Sequence, residues 1–145
     1  MDFFSSMEVS ASGLNAERTR INVASSNLAN AATTQTAAGG PYQRRDVVLR
    51  SVPTSGNVSG AKAGDPAGVV SGVQVTGIQA DTSPPRLEYD PGHPDANDDG
   101  YVAYPNVSPV EEMVDMITAS RAYQAGVTAL ETAVSLAERA LTIGK

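Results

Sequence analysis

The run Asp95-Ala96-Asn97-Asp98-Asp99-Gly100 is the place where residue type and spacing point to a specific chemistry. Side-chain oxygens stand at the first, third and fifth positions and a glycine at the sixth. That is how a calcium loop opens, with hard oxygen donors around the ion and glycine making the sharp turn. A complete loop closes on a bidentate glutamate at the twelfth position, and here that position is Asn106. The flanks are proline-bounded and strand-like rather than paired helices. An acidic turn, with Gly100 at the position that needs positive φ, explains the same residues. A calcium-dependent binding module using Asp95, Asn97 and Asp99 is therefore the alternative against which a structural reading is weighed.

Catalytic chemistry has less to stand on. His93 is the single histidine, it lies in a turn between Gly92 and Pro94, and there is no cysteine to pair with it. A lone loop histidine supplies neither an acid–base pair nor an activated nucleophile. No glycine-rich phosphate loop follows a strand, and no basic cluster extends beyond Arg44-Arg45. The sequence argues against an enzyme and calls for no cofactor and no metal.

Composition narrows the class. A length of 145 residues suits one domain, and a formal net charge of −6 argues against nucleic acid or an anionic membrane as partner. With no cysteine and no tryptophan and only two phenylalanines, disulfides, thiolate metal sites and a large aromatic core are all excluded. No run of 18 or more apolar residues is present for direct membrane insertion, and Met1-Asp2-Phe3-Phe4-Ser5 has an acid where a signal peptide carries basic residues. The expectation is a cytoplasmic chain, or one exported without a cleaved signal.

The elements that must position these turns are two long terminal helices. From Ser108 onward, apolar or small residues alternate three- and four-residue steps through Met113, Met116, Ser120, Tyr123, Val127, Leu130, Val134, Ala137 and Leu141. This is the heptad seam of a helix supercoiled with a partner. Ser108, Pro109 and Glu111 form an N-terminal capping signature, and Gly144 is the stop. A second line, Ala122, Gly126, Ala129, Ala133, Leu136 and Ala140, runs beside the first, about 100° around the helix. Its small residues suit close packing against neighbouring chains. The charged residues, among them Glu111, Glu112, Asp115, Arg121, Glu131, Glu138 and Arg139, are assigned to the rest of the circumference. The plainer reading of so apolar a helix is burial in an ordinary core.

At the other end, Met7, Leu14, Ile21 and Leu28 recur every seven residues between Phe3 and about Asn30. The positions between them are crowded with serine, asparagine and threonine, each costing up to about 1 kcal/mol against alanine in a helix. Such a helix is marginal alone and needs a docking partner. The economical arrangement is an antiparallel hairpin, with Met7, Leu14, Ile21 and Leu28 facing Val127, Leu130, Val134 and Leu141. Between the helices, Asp46-Val47-Val48-Leu49-Arg50-Ser51-Val52 and residues 69–80 read as strands, and Leu87-Glu88-Tyr89 and Tyr101-Val102-Ala103-Tyr104 as two shorter ones. The predicted fold class is α+β. An N-terminal helix (1–34) and a C-terminal helix (108–145) pair as an antiparallel coiled coil around a small β-rich middle domain (35–107), which contains a flexible loop at 53–68.

The end of the first helix carries a recognisable phrase. Ala24-Ser25-Ser26-Asn27-Leu28-Ala29-Asn30-Ala31, followed by Thr33, Thr34 and Gly39-Gly40-Pro41-Tyr42, resembles the signature of the flagellar axial proteins, with Asn27, Leu28, Ala29 and Asn30 as its centre. Further phrases narrow the resemblance to the rod subunits of that family: Gly40-Pro41-Tyr42-Gln43-Arg44-Arg45-Asp46-Val47-Val48, Ser83-Pro84-Pro85-Arg86, Tyr89-Asp90-Pro91-Gly92-His93-Pro94, and Gly100-Tyr101-Val102-Ala103-Tyr104-Pro105-Asn106-Val107. It departs mainly between Gly56 and Gly72. The resemblance implies a structural subunit of the proximal rod, in the periplasmic part of the flagellar basal body. It further implies export by the flagellar type III apparatus without cleavage, and homo- and hetero-oligomeric assembly with other rod subunits and the basal-body junction protein.

Overall fold

A computed structural model describes residues 3–57 and 69–143. The order is α1 (Phe3–Ala29), β1 (Arg45–Asn57), β2 (Val69–Ala80), β3 (Arg86–Tyr89), β4 (Tyr101–Tyr104) and α2 (Pro109–Ile143). The chain is therefore α+β, with the two terminal helices where their heptads place them. Glu112 N–H donates to Ser108 C=O at 3.1 Å, so α2 starts on the serine–proline pair.

The hydroxyls that weaken α1 as a sequence are accommodated locally. Ser6, Ser10, Ser12 and Thr19 each donate to a backbone carbonyl three or four residues earlier, at 2.7 to 2.9 Å. A hydroxyl bonded in this way competes with the helix ladder without leaving a polar group bare, which explains how α1 stays continuous despite its composition. The helices run antiparallel. Asn27, near the end of α1, bonds Glu112, near the start of α2, while Leu14 Cδ2 lies 2.9 Å from where a Cβ on Gly126 would sit.

The middle segment carries two separate two-stranded antiparallel ribbons, β1–β2 and β3–β4. The first lies along α1, where Ser12 Oγ accepts from Val73 N–H at 3.0 Å and Gly72 is buried beneath the same side chain. The second carries Val102, fully buried at 0% exposure, and leads through the buried Pro105 and Val107 into α2. The strand is also longer than the sequence suggests. β1 continues through Pro53 to Asn57, so the first part of the expected loop is strand, and residues 58–68 lie outside the described residues. Register shifts after Val48 and Pro53 explain the difference, because a bulge lets a strand absorb residues, proline included, that break its alternation.

Gly100 has φ +81°, as the turn chemistry requires, and a Cβ there would come within 2.9 Å of Tyr89 Cε2 and 3.3 Å of Pro91 Cβ. Gly13, in the middle of α1, meets nothing within 4 Å. The two glycines should respond oppositely to alanine. Gly100→Ala is expected to destabilise by roughly 1–3 kcal/mol, and Gly13→Ala to stabilise by about 0.5–1 kcal/mol. Urea midpoints of the two variants against the parent chain measure both signs.

Candidate functional site

The helix pair is joined to the β1–β2 ribbon by one buried amide. Asn27 is 1% exposed and uses its whole carboxamide. Nδ2 donates to Arg45 C=O at 2.9 Å and to Glu112 Oε2 at 3.0 Å. Oδ1 accepts from Arg45 N–H at 3.0 Å and from Tyr42 Oη at 3.0 Å. Toward Arg45 the side chain behaves as a neighbouring strand would, taking one N–H and giving one back, and so it covers the outer edge of β1 where that strand begins. Glu112 is also 1% exposed, and its other oxygen accepts from Arg44 Nε at 2.6 Å. Arg44 further meets Asp46 at 2.8 Å and, more loosely, Asp115 at 4.0 Å. Partial burial works to lower the pKa of this guanidinium. The hydrogen bond that Arg44 donates to Glu112 and the charges of Asp46, Glu112 and Asp115 outweigh burial and raise it, so Arg44 stays charged. Beside this knot, Asn106 Oδ1 accepts from Arg44 N–H at 3.2 Å while its Nδ2 is buried without a partner.

The knot sets which side of α2 turns inward. Glu112 and Ala119 are its deepest residues at 1% exposure each, and Gly126 and Ala133, at the same seven-residue spacing, are partly buried. Met116, Tyr123, Leu130 and Ala137 form the companion line, all half-buried. The seam read from apolar residues alone shares that second line, but its other half is rotated by one position. Val127 and Val134 are half-buried at its flank, and Met113 (45% exposed) and Leu141 (73%) are on the surface. Glu112 was assigned to the charged surface, and burial reverses that assignment. Seven-residue spacing from Ala119 and Gly126 was the available signal, which an acidic residue type obscured. On α1, Met7, Leu14, Ile21 and Leu28 are all half-buried, and the positions excluded from solvent are Ser5, Ala16, Ala24 and Asn27.

The second stripe splits as well. Gly126 packs against Leu14 of its own chain and Ala133 follows the same line, so these two belong to the hairpin. Ala122, Ala129, Leu136 and Ala140 are exposed, and Val110, Met113, Val114 and Ile117 add large apolar surface near the start of α2. In the family phrase, Leu28 is half-buried, Ala29 is exposed, and Asn30 closes the helix, donating Nδ2 to Ser26 C=O at 2.8 Å and accepting from Thr33 Oγ1 at 3.2 Å.

The acidic turn is satisfied from within. Asn97 Oδ1 accepts backbone N–H groups of Asp99 (3.1 Å) and Tyr101 (2.8 Å), and Asp95 Oδ2 accepts from Thr34 Oγ1 at 2.7 Å. His93 Nδ1 accepts from Asp95 N–H at 3.1 Å. Of the oxygens that a calcium ion would use, Asn97 Oδ1 is committed to the turn and Asp95 Oδ2 to the segment after α1. Among the described residues no group of three or more His, Cys, Asp or Glu is placed to hold a metal ion. The geometry therefore gives the calcium module no support. No described helix is long and apolar enough to cross a membrane.

Comparison with known proteins places both ends of this architecture. A family model described as flagella basal body rod protein matches residues 7–34, and one described as flagellar basal body rod FlgEFG protein C-terminal matches residues 98–143. The chain is 44% identical to the flagellar basal-body rod protein FlgC of Borreliella burgdorferi, over 99% of this chain and 98% of that protein. It belongs to the FlgC family of flagellar basal-body rod proteins. To FlgC of Bacillus subtilis it is 42% identical over the whole of both chains, and to FlgC of Salmonella typhimurium 38% over 95% of each. The two matched segments hold Asn27 and Glu112 respectively, so in this FlgC-family chain the knot ties one matched segment to the other.

Removing one member of the knot leaves another buried and unpaired. Glu112→Ala and Asn27→Asp, the latter setting a second carboxylate 3.0 Å from Glu112, are each expected to cost on the order of 3 kcal/mol or more. Glu88→Ala, on exposed β3, is expected to change stability by less than about 0.5 kcal/mol. Denaturant titration monitored by far-ultraviolet circular dichroism separates the two outcomes.

Proposed function

We propose that this structural rod subunit polymerises through its terminal helices into the drive shaft that carries motor torque to the hook. The observation that carries the proposal is the outer side of α2. Val110, Val114, Ile117 and Leu136 are 53–67% exposed on a helix whose inner side is already covered by α1. Exposed apolar surface of this extent on a family of rod proteins suits subunit packing better than solvent. Within the subunit, α1 and α2 act as an antiparallel coiled coil on the Leu14–Gly126 and Met116–Tyr123–Leu130 lines. Between subunits, Ala122, Ala129 and Ala140 let backbones approach. The partners are further rod subunits, like and unlike, and the basal-body junction protein. The chain reaches the periplasmic rod through the flagellar type III export apparatus, without a cleaved leader.

Ala129→Leu tests the outer face without touching the inner one. Overpacking a close interface costs about 1–3 kcal/mol at each repeat of the lattice. The variant is therefore expected to be expressed and exported yet absent from purified basal bodies, and normal incorporation would place Ala129 outside the subunit contact. Leu130→Asp sets a charge on the α1-facing line and is expected to abolish motility, whereas Glu138→Gln, exposed and off both lines, should swim normally. Equal swimming of the two on soft agar would refute the pairing.

A further inference from the structure

An asparagine covers one outer edge of each two-stranded ribbon. Asn27 bonds the N–H and C=O of Arg45 on β1. Asn97 does the same for Tyr101 on β4, donating its backbone N–H to Tyr101 C=O at 2.9 Å and accepting Tyr101 N–H on Oδ1 at 2.8 Å. These bonds fix which residues face outward. In an antiparallel ladder the residue opposite an outward-facing one also faces outward, and the next in each strand does so two residues on. Ala80 and Ile78 therefore turn their N–H and C=O away from β1, and Tyr89 and Leu87 turn theirs away from β4. The bond from Asp90 N–H to Gly100 C=O, 3.0 Å, agrees with that alternation. Among the described residues no group bonds these four outward positions. On β2, α1 covers the outer edge farther along, where Ser12 accepts Val73 N–H. Ile78, Leu87 and Tyr89 are 51%, 62% and 67% exposed.

We propose that in the assembled rod the β3 edge of one copy pairs antiparallel with the β2 edge of the next copy, a contact that rests on the subunit's polymerisation into the rod. Leu87 stands opposite Ala80 and Tyr89 opposite Ile78, and these residues exchange four N–H···O=C bonds. Both faces of the new pair are complementary in this register. On one, Tyr89 meets Ile78, and Leu87 meets Ala80, which borders a cavity of about 410 Å³ together with Pro41 and Tyr42. On the other, Glu88 meets Gln79 and Arg86 meets Asp81, an ion pair between copies. A slip of two residues one way sets Arg86 on Gln79, and the other way sets Glu88 on Asp81, so charge selects the register. Within one chain the two strands lie in separate ribbons, so the pairing joins chains. The contact uses two different edges and is head-to-tail, the kind that builds a helical array rather than a closed pair. Pro84-Pro85 and Pro91 hold β3 to four residues, an edge too short to pair free chains and effective only where the lattice aligns it.

The test uses purified basal bodies and a chain with no cysteine of its own. Glu88 and Gln79 of neighbouring copies form a non-hydrogen-bonded pair with Cα atoms about 4.5 Å apart, within reach of a disulfide. Both side chains are exposed, so Gln79→Cys and Glu88→Cys are expected to fold and to enter the rod. Basal bodies from cells making the two variants together should, on mild oxidation, yield a covalent 79–88 dimer of this chain. Neither variant alone should link to itself, and Gln79→Cys should not link to Arg86→Cys. The next facing pair, Asp81→Cys with Arg86→Cys, repeats the test at a second position. Basal bodies that hold both members of each pair without either link would overturn the proposal, as would a 79–79 or 88–88 link or an equal yield from 79 with 86. Absence of the parent chain from basal bodies would instead sink the rod reading, so the two fail separately.

Discussion

The Asn27 carboxamide is the constraint on which the remainder of the molecule depends. Four hydrogen bonds to three other segments leave it one position, and that position sets the start of β1, the orientation of Glu112 and, through Glu112, the rotation of α2. A buried amide or carboxylate tolerates displacement less well than a methyl group does, because each lost partner leaves a desolvated polar atom. The apolar core has no comparable grip. Among the described residues it consists of Ala16, Ala24, Val102, Val107 and Ala119, small side chains whose burial is favourable in many registers. Polar satisfaction therefore chooses among registers that hydrophobic contact leaves close in energy.

A core of alanines has a second consequence. Small side chains bury little apolar area per residue, so the subunit keeps its larger apolar groups for its outer side, where Val110, Val114, Leu136 and Leu141 are all more than half exposed. In the proposed assembly, burying that surface supplies what the monomer forgoes. The geometry of a thin helical pair with one open face follows from the same shortage of bulk that makes the N-terminal helix marginal by itself.

The acidic turn shows how a metal-like spacing resolves into a hinge of hydrogen bonds. Asn97 folds its side-chain oxygen onto two backbone amides, and Asp95 reaches across to Thr34, tying the β3–β4 ribbon to the segment that leaves α1. The same oxygens serve either purpose, and their spacing in sequence carries no information about which groups lie opposite them in space.

Much of this architecture is legible in the chain itself. Heptads locate both helices, a serine–proline pair starts the second, β-branched runs locate the strands and Gly100 marks a positive-φ turn, because each is a local property of neighbouring residues. Phrases around Asn27 and from Gly100 to Val107 carry the family, since they are read without reference to contacts. What the tertiary structure decided is non-local. It joined Asn27 to Arg45 and Glu112 across 18 and 85 residues, buried an acid that its residue type assigns to the surface, and extended β1 through Pro53 on a pair of bulges. It also turned α2 by one position, from Val127 toward Gly126. Hydrophobicity along the sequence measures only how apolar each position is, and the face that turns inward is the one whose polar groups find partners there.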